Sequence, residues 1–356
     1  MPGLDKKTII KARAVLGLTL MCCAALVFLR MPPGFSSRRK ASANTSEAVF
    51  LADGESYAVY AWPGRHSSNL MGVNDVIFMP RSAAPFRPRP SLAPVSYEYK
   101  ARLSDFNYLT RSIFLTDPRT KLFPADIDVS AFLAKDQRID TSVTGPQVLI
   151  FHAHSMEMFA DSNPQDPMTG VFGVGRYLAE ILSEQHGIQV MHYMGRFDVV
   201  NGIPNRHGSY ERVEPAIKQI LADNPSIQMV IDLHRDGIPE SRAPMVTYVN
   251  GLRTAQIMFV NGLSRQLRNG VATDIHHLPN PYQQQNLAFT LNLQLAANQL
   301  YPGLARRAYL LPFRYSLHMA PQSMLLEVGA QNNTLQEALN AMHPTANIIA
   351  AVVLGE

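Results

Sequence analysis

The chain has 356 residues, which is long enough for one large domain with an appendage or for two modest domains. Its formal charge of +4 and its pI near 9.0 suggest an acidic partner, but the charge is unevenly placed. Residues 1–40 carry eight Lys/Arg and one Asp, so the other 316 residues have a net charge of −3. This distribution gives no support for nucleic-acid binding by the folded part.

The first thirty residues predict a membrane anchor. Four basic residues precede an uncharged apolar run over 14–29, and Arg30 ends it. The run is slightly short for a spanning helix, but snorkelling basic side chains at its ends make up the length. We expect 1–30 to be a cytoplasmic tail and an uncleaved signal anchor, with a cleaved signal peptide as the alternative. The protein is then a single-pass protein of the cell membrane, with the bulk of the chain outside the cytoplasm.

Residues 31–103 predict a linker, because Pro, Ser, Ala and Arg are dense there, most of all over 81–94. One short hairpin is expected within this linker, around 57–62. We predict a single domain over 104–356. Its first part, 104–145, has apolar residues without clear periodicity and is interpreted as an arm that leads into the domain.

From residue 146 onward the pattern predicts strands that alternate with helices. The expected strands are 148–153, 188–194, 227–234, 243–249, 306–312 and 323–329. The expected helices are 173–187, 210–223, 254–269, 286–300, 333–343 and a C-terminal helix from 347. Short, nearly continuous apolar strands in this alternation predict an α/β fold, with an open, mostly parallel sheet sandwiched by helices.

Reactive side chains stand at the ends of predicted strands, where open α/β sheets bind their ligands. His152 and His154 close the first strand. Residues i and i+2 of a strand share a face, so the two imidazoles could share a metal ion, and simple packing is the alternative.

Two further strands add polar groups. Asp232 and His234 share a face in IDLHRD, and a charged pair at the end of an apolar strand needs a partner. The alternative there is a salt bridge of Asp232 or Asp236 with Arg235. Glu327 lies between apolar residues in MLLEVGA, so its carboxylate needs a cation, a metal ion or a proton.

Two imidazoles, one or two carboxylates and no thiol are typical of a catalytic zinc site rather than a structural one. Both cysteines of the chain, Cys22 and Cys23, lie within the predicted anchor. Hydrolytic zinc activates a water and polarises a carbonyl, and it needs a nearby carboxylate to move a proton to the leaving amine. Glu327 is the best candidate for that proton shuttle.

Several segments occur in a specific order. They are HAHSME (152–157), GSYERVEPAIKQIL (208–221), VIDLHRDG (230–237), YPGLARRAYL (301–310) and RYSLHMAPQSMLLEVGAQNNTLQEAL (314–339). Over about 104–350 the chain thereby resembles the stage II sporulation protein P family of endospore-forming bacteria. The segment 106–128 is similar to the arm that precedes the catalytic part of that family.

This resemblance implies a zinc-dependent N-acetylmuramoyl-L-alanine amidase that remodels peptidoglycan during sporulation and engulfment. Cleavage of glycan strands or cross-links is a further activity that the resemblance implies. The implied partners are the sporulation D and M proteins, and the implied fold is that of zinc-bearing α/β amidases.

The resemblance also assigns roles to single residues. It implies that His154 and His234 bind zinc, that Glu327 is catalytic, and that His152 supports the site or contacts substrate. Glu157 matches the glutamate of the family motif and is the expected third ligand. Related amidases place their glutamate at the start of the next helix, where this chain has no carboxylate before Glu180.

Other residues are expected around the metal. Asp232 and Asp236 could orient His234, with Arg235 between them. Arg212 and Arg314 match basic positions of the family and could hold a stem-peptide carboxylate or a muramyl oxygen; capping a helix or pairing with an acid is the alternative.

The sequence departs from the family motif at three positions beside the expected ligands. Ser155 and Met156 replace the usual pair of threonines, and Met158 stands where serine is usual. Two other functions remain open, a zinc carboxypeptidase or deacylase on another amide, and an inactive scaffold that binds the cell wall. The intact set of His154, His234 and Glu327 argues against the scaffold.

Overall fold

The computed structural model describes residues 91–355 and four strands within the preceding ninety residues. The predicted anchor over 1–30 lies outside the described residues. Within the part of the chain that is described, no helix is both long and apolar enough to cross a membrane. The chain divides into two compact units, Met1–Met71 and Gly72–Glu356.

The strands and helices are numbered in chain order. The strands are β1 (Ser36–Arg38), β2 (Glu47–Ala52), β3 (Glu55–Tyr60), β4 (Val76–Met79), β5 (Phe114–Thr116), β6 (Val148–Phe151), β7 (Val190–Tyr193), β8 (Val199–Val200), β9 (Ile203–Pro204), β10 (Met229–Asp236), β11 (Val246–Val249), β12 (Leu252–Ala255), β13 (Ile257–Gly262), β14 (Arg265–Arg268), β15 (Val271–Asp274), β16 (Ala308–Leu311) and β17 (Ser323–Ala330). The α-helices are α1 (Tyr97–Ser104), α2 (Phe106–Ser112), α3 (Val129–Ala134), α4 (Val171–His186), α5 (Ser209–Asp223), α6 (Gln283–Leu300), α7 (Leu335–Asn340) and α8 (Met342–Leu354). Two 3-10 turns span Pro124–Asp126 and Pro167–Thr169.

In the first unit, β1, β2 and β3 form a three-stranded antiparallel sheet. The hairpin predicted around 57–62 overlaps its last strand.

The second unit contains an eight-stranded sheet in the order β4-β7-β6-β10-β17-β13-β16-β5. Five of its seven neighbouring pairs are parallel, and β4 with β7 and β13 with β17 are antiparallel. The predicted open, mostly parallel α/β sheet is therefore confirmed. Four adjacent strands run in the same direction: β7, β6, β10 and β17. The residues that follow their carboxyl ends therefore meet at the same edge of the sheet.

Helices cover both faces of this sheet because its central strands are apolar on both sides. On one face Val148 and Ile150 belong to the large apolar cluster that includes α4, α6 and α8. On the other face Leu149 and Phe151 pack with Val213 and Ile217 of α5. We call these the α4 face and the α5 face. α4 ends at His186, and Gly187 after it takes the left-handed conformation that commonly closes a helix.

One predicted helix is wrong. Residues 254–269 form the end of β12, then β13 and β14. β13 is buried along its whole length between β17 and β16, so its apolar run is continuous and its periodicity cannot distinguish a strand from a buried helix. The predicted strand at 243–249 is present as β11, but it pairs with β12 in a separate hairpin.

The predicted arm and linker ranges also contribute strands to the sheet. β5, within the arm, pairs with β16 at one edge. β4, within the range predicted as linker, pairs with β7 at the opposite edge.

Candidate metal centre

The turn after β6 supplies two of the polar groups. β6 ends at Phe151, and the chain then turns so that His154 and Glu157 converge. The Nδ1 atom of His154 lies 3.8 Å from Oε1 of Glu157, and both side chains are buried. The third group comes from the neighbouring strand β10. Alternation along that strand places Asp232 and His234 on the α5 face, where both are buried.

His234 completes a cluster of three ligand atoms. Its Nδ1 atom lies 3.2 Å from Oε2 of Glu157, and one ligand atom each from His154, Glu157 and His234 lie within 4.8 Å of one another. Two ligands of one tetrahedral zinc ion stand roughly 3.3 Å apart, given Zn–N and Zn–O bonds of about 2.0–2.2 Å. The spacing of the cluster therefore fits a single metal ion.

Hydrogen bonds fix the direction of both imidazoles. His234 donates its Nε2 proton to Oδ1 of Asp232 at 2.7 Å, because a carboxylate only accepts. His154 accepts a hydrogen bond at Nδ1 from Arg206 at 3.1 Å, so its Nε2 proton is donated to Oγ of Ser209 at 3.0 Å. The Nδ1 lone pair of His154 and the Nδ1 atom of His234 therefore face the Glu157 carboxylate.

Imidazole nitrogens and buried carboxylates, all of them hydrogen-bond acceptors, lie close together in this cluster. Their burial is stable only with positive charge nearby. Burial favours the neutral form of His234, but the Asp232 and Glu157 carboxylates raise its pKa well above the usual value. Burial likewise raises the pKa of Glu157, yet His234, Arg206 and His154 together lower it to about 2. A metal ion bound between these three residues would supply positive charge in place of the proton on His234.

Arg206 is a neighbour of the centre that the sequence analysis did not identify. Its guanidinium lies 2.6 Å from Oε1 of Glu157 and donates to His154, although the side chain is 59% exposed. It approaches from the loop before α5, so nothing local in the sequence marks it.

The turn that carries His154 and Glu157 is held from two sides. Asp198, also missed from the sequence, accepts from Oγ of Ser155 at 2.5 Å and from the backbone N–H of Met156 at 2.9 Å. Arg235 donates its backbone N–H to Oε2 of Glu157 at 3.0 Å and its Nε–H to the carbonyl of Met158. Arg235 thus positions the glutamate through its main chain.

Of the two aspartates expected to orient His234, Asp232 does so and Asp236 does not. Asp232 is itself fixed by the N–H of Ala153 and the hydroxyl of Ser316. Asp236 lies beyond an irregularity in the register and accepts from Arg306 at 2.8 Å.

Glu327 stands next to the candidate metal ligands in the sheet. It is the register partner of His234 in the parallel pair of β10 and β17, so the two side chains share the α5 face. Its Oε2 atom is buried and has no hydrogen-bond partner within residues 91–355. Burial raises the pKa of Glu327 to about 8, and the nearby Glu157 and Asp236 carboxylates act in the same direction.

His152 lies on the opposite face of the sheet. Its ring contacts Phe172 of α4 and is so close to Gly175 that a side chain there would collide with it. Nδ1 donates to the carbonyl of Leu233 at 2.7 Å, and Nε2 lies 2.8 Å from Nε2 of His192. His152 therefore supports the packing behind the centre and does not face the ligands.

Arg212 and Arg314 lie farther out. Arg212 donates to the carbonyls of Phe197 and Asn205, which ties down the loop between β7 and α5. Arg314 pairs with Glu214 at 2.9 Å and donates to a backbone carbonyl. Pairing with an acid was one of the two alternatives for Arg314.

The sequence model of the family described as Stage II sporulation protein P (SpoIIP) matches residues 116–350. A curated relative, stage II sporulation protein P of Bacillus subtilis (strain 168), is 23% identical over 234 residues, which are 61% of this chain and 53% of the relative. The chain thus spans about half the length of the curated relative it matches.

The solved structures that are similar to this chain include two amidases. One is N-acetylmuramoyl-L-alanine amidase from Clostridium difficile 630, with 15% identity, a TM-score of 0.35 and coverage of 60% of this chain and 97% of that one. The other is the CwlD amidase from Clostridioides difficile in complex with the GerS lipoprotein, with 13% identity, a TM-score of 0.35 and coverage of 59% and 95%.

Proposed function

The chain belongs to the stage II sporulation protein P family, and from this membership and the geometry of the metal centre we propose that it is a zinc-dependent N-acetylmuramoyl-L-alanine amidase. Its substrate is peptidoglycan, which it remodels during sporulation and engulfment. The sporulation D and M proteins are the proposed partners. The proposal includes the N-terminal anchor over 1–30, which holds the catalytic domain outside the cytoplasm.

The observation that carries the proposal is the convergence of His154, Glu157 and His234 beside Glu327. Two imidazoles and one carboxylate form the ligand set of hydrolytic zinc enzymes, which keep a fourth position for water and substrate. Zinc, when bound there, supplies Lewis acidity that polarises the scissile carbonyl and makes water easier to deprotonate.

The chain's own residues supply the rest of the chemistry. Asp232 and Ser209 hold the protons on the Nε2 atoms of His234 and His154, so zinc would bind at the two Nδ1 atoms, in place of the proton on His234 and of the hydrogen bond from Arg206 to His154. Glu327 accepts a proton from the attacking water and passes it to the leaving amine of L-alanine. A carboxyl group with a pKa raised by burial suits this task, because it both takes up and releases a proton near neutral pH.

The test is a product analysis with the purified full chain and intact peptidoglycan. We expect peptide-free glycan strands and stem peptides that begin with a free L-alanine amine. A chelator should stop the reaction and zinc should restore it. Untouched peptidoglycan, or release that the chelator does not affect, would contradict the proposal, and release of C-terminal amino acids alone would indicate a carboxypeptidase.

A further inference from the structure

The α5 face of the sheet is covered unequally. α5 packs over β6, β7 and β10, whereas a loop over 312–322 covers the neighbouring strands β17, β13 and β16. Four aromatic side chains border this second region, and we call them the aromatic strip. They are Tyr210, Tyr315, Phe313 and Tyr309.

The aromatic strip begins at a metal ligand and reaches solvent. The ring of Tyr210 lies 5.3 Å from that of His154, the ring of Tyr315 lies 5.2 Å from Tyr210, and Phe313 lies 6.4 Å from Tyr315. Phe313 is 38% exposed. At the edge of the sheet, Leu115 is the register partner of Tyr309 and is 40% exposed. The strip is thus a partly open apolar surface continuous with the metal centre.

The strip is preformed. Tyr315 has φ 49°, a left-handed conformation that is unfavourable for a bulky side chain and that commonly marks functional segments. The backbone of Phe313 and Arg314 rests directly on Gly262, where any side chain would collide with it. The carbonyl of Leu317 accepts from the buried side chain of Asn286. A surface held in this way loses little conformational entropy when it binds a ligand.

Charge differs between the two sides of the metal centre. Beside the strip, Arg119 forms an ion pair with Asp117 and Arg314 forms one with Glu214, so both charges are balanced. The opposite flank, on the β7 side of the sheet, is the loop over 194–208. There Arg206 is exposed and pairs with Glu157, whereas the exposed Arg196 forms no ion pair within residues 91–355, so this loop keeps one unbalanced cation and we call it the cationic loop.

We propose that the aromatic strip binds the uncharged glycan strand of peptidoglycan, while the stem peptide lies over the cationic loop. Pyranose rings have apolar C–H faces that pack against aromatic rings, and their hydroxyl groups suit the polar edges of tyrosine. Stem peptides carry free carboxylates, which favour arginine. The inference deepens the proposed function and rests on it for the place of the scissile amide at the metal centre.

The direct test measures equilibrium binding of peptide-free glycan strands to the full chain. Two variants remove rings from the strip, Phe313→Ala and Tyr315→Asn. Asparagine tolerates a positive φ, so the second variant adds no backbone strain. Each should weaken glycan binding about fivefold to tenfold, as expected when one aromatic contact is lost.

Two matched controls separate this effect from general damage. Tyr248→Ala removes an aromatic side chain that is 67% exposed on the β11–β12 hairpin, and it should leave glycan binding unchanged. Arg196→Ala should also leave glycan binding unchanged but weaken the binding of free stem peptides. The proposal would be overturned if both strip variants bound glycan strands as tightly as the wild type, or if the wild type bound no glycan.

Kinetics distinguish this proposal from the amidase activity itself. Phe313→Ala should raise KM for polymeric peptidoglycan with kcat unchanged, and should not change KM for a muramyl peptide with a single sugar, which is too short to reach Phe313. If the wild type cleaves neither substrate, the amidase proposal fails. The strip proposal still stands in that case if the two strip variants bind glycan more weakly than the wild type. If cleavage is normal in both strip variants on every substrate, the strip proposal fails.

Discussion

Within residues 91–355, two buried histidine pairs have almost the same spacing and different surroundings. The rings of His154 and His234 are 5.0 Å apart on the α5 face, and those of His152 and His192 are 5.1 Å apart on the α4 face. The first pair has Glu157 and Asp232 as partners, whereas the second has a backbone carbonyl and its own partner ring. Carboxylates and the direction of lone pairs, rather than the distance between imidazoles, therefore distinguish a metal centre from packing.

The hydrogen bonds of the second pair account for both of its facing nitrogens without a metal ion. His152 donates from Nδ1 to Leu233, so in the neutral ring its Nε2 accepts the Nε2 proton of His192. The two facing nitrogens are occupied by one shared proton. Burial lowers the pKa of His152 to about 4 and that of His192 well below 6.5, so both rings stay neutral. In contrast, the pKa of His234 is raised by its carboxylates.

The largest expected effect is a loss of activity on substitution of Glu327, which lies on the α5 face beside the proposed metal ligands and is not one of them. Glu327→Gln keeps the shape and removes the proton acceptor, so kcat should fall by about 10²–10⁴-fold. Zinc content should stay at the wild-type value. A variant that loses both zinc and activity would contradict the separation of ligand and shuttle.

The second-largest expected effect is a loss of zinc affinity, and it tests the role of the carboxylates. Asp232→Asn weakens the acceptor that orients His234, and zinc affinity should fall about 10–100-fold. The control is Asp236→Asn, because that carboxylate binds Arg306 and not His234. Competition with a chromophoric chelator measures both affinities. Equal losses in the two variants would refute the assigned role of Asp232.

The smallest expected effect is a loss of stability on substitution in the second pair, His152 and His192. His192→Leu leaves Nε2 of the buried His152 without its donor, which should lower the free energy of unfolding by about 1–3 kcal/mol. Chemical denaturation measures that loss, while zinc affinity should not change. A fall in zinc affinity comparable with that of Asp232→Asn would show that the two pairs are coupled.

The same pair predicts a pH dependence of stability. In the unfolded chain both imidazoles titrate near 6.5, and in the folded protein their pKa values are lower because of burial. The unfolded state therefore binds more protons below pH 6.5, and the free energy of unfolding should fall as the pH decreases from about 6.5 toward 4. His192→Leu should make this fall less steep, and an unchanged slope would argue against a neutral pair.

Local sequence pattern was sufficient for some parts of the site. Asp232 and His234 alternate with apolar residues on β10, so their common face follows from strand geometry. Glu327 on β17 follows in the same way, because a carboxylate between buried apolar residues requires a special partner. The apolar runs of β6 and β7 likewise predicted two strands.

Other parts depend on contacts between distant segments. The rule that placed His152 and His154 on one face holds only within a strand, and β6 ends at Phe151, before both histidines. His192, Asp198 and Arg206 approach the turn from about forty to fifty residues along the chain, so no spacing in the sequence reveals them. The helix predicted at 254–269 is wrong for a related reason, since burial on both faces removed the alternation that marks a strand.

The most direct test of the account is the zinc content of the full chain after exhaustive dialysis, measured for the wild type, His154→Asn and His152→Asn. The two variants change neighbouring histidines that point to opposite faces of the sheet. We predict one zinc ion per chain in the wild type and in His152→Asn, and none in His154→Asn. A wild type without zinc, or loss of zinc from His152→Asn but not from His154→Asn, would contradict the proposed metal centre.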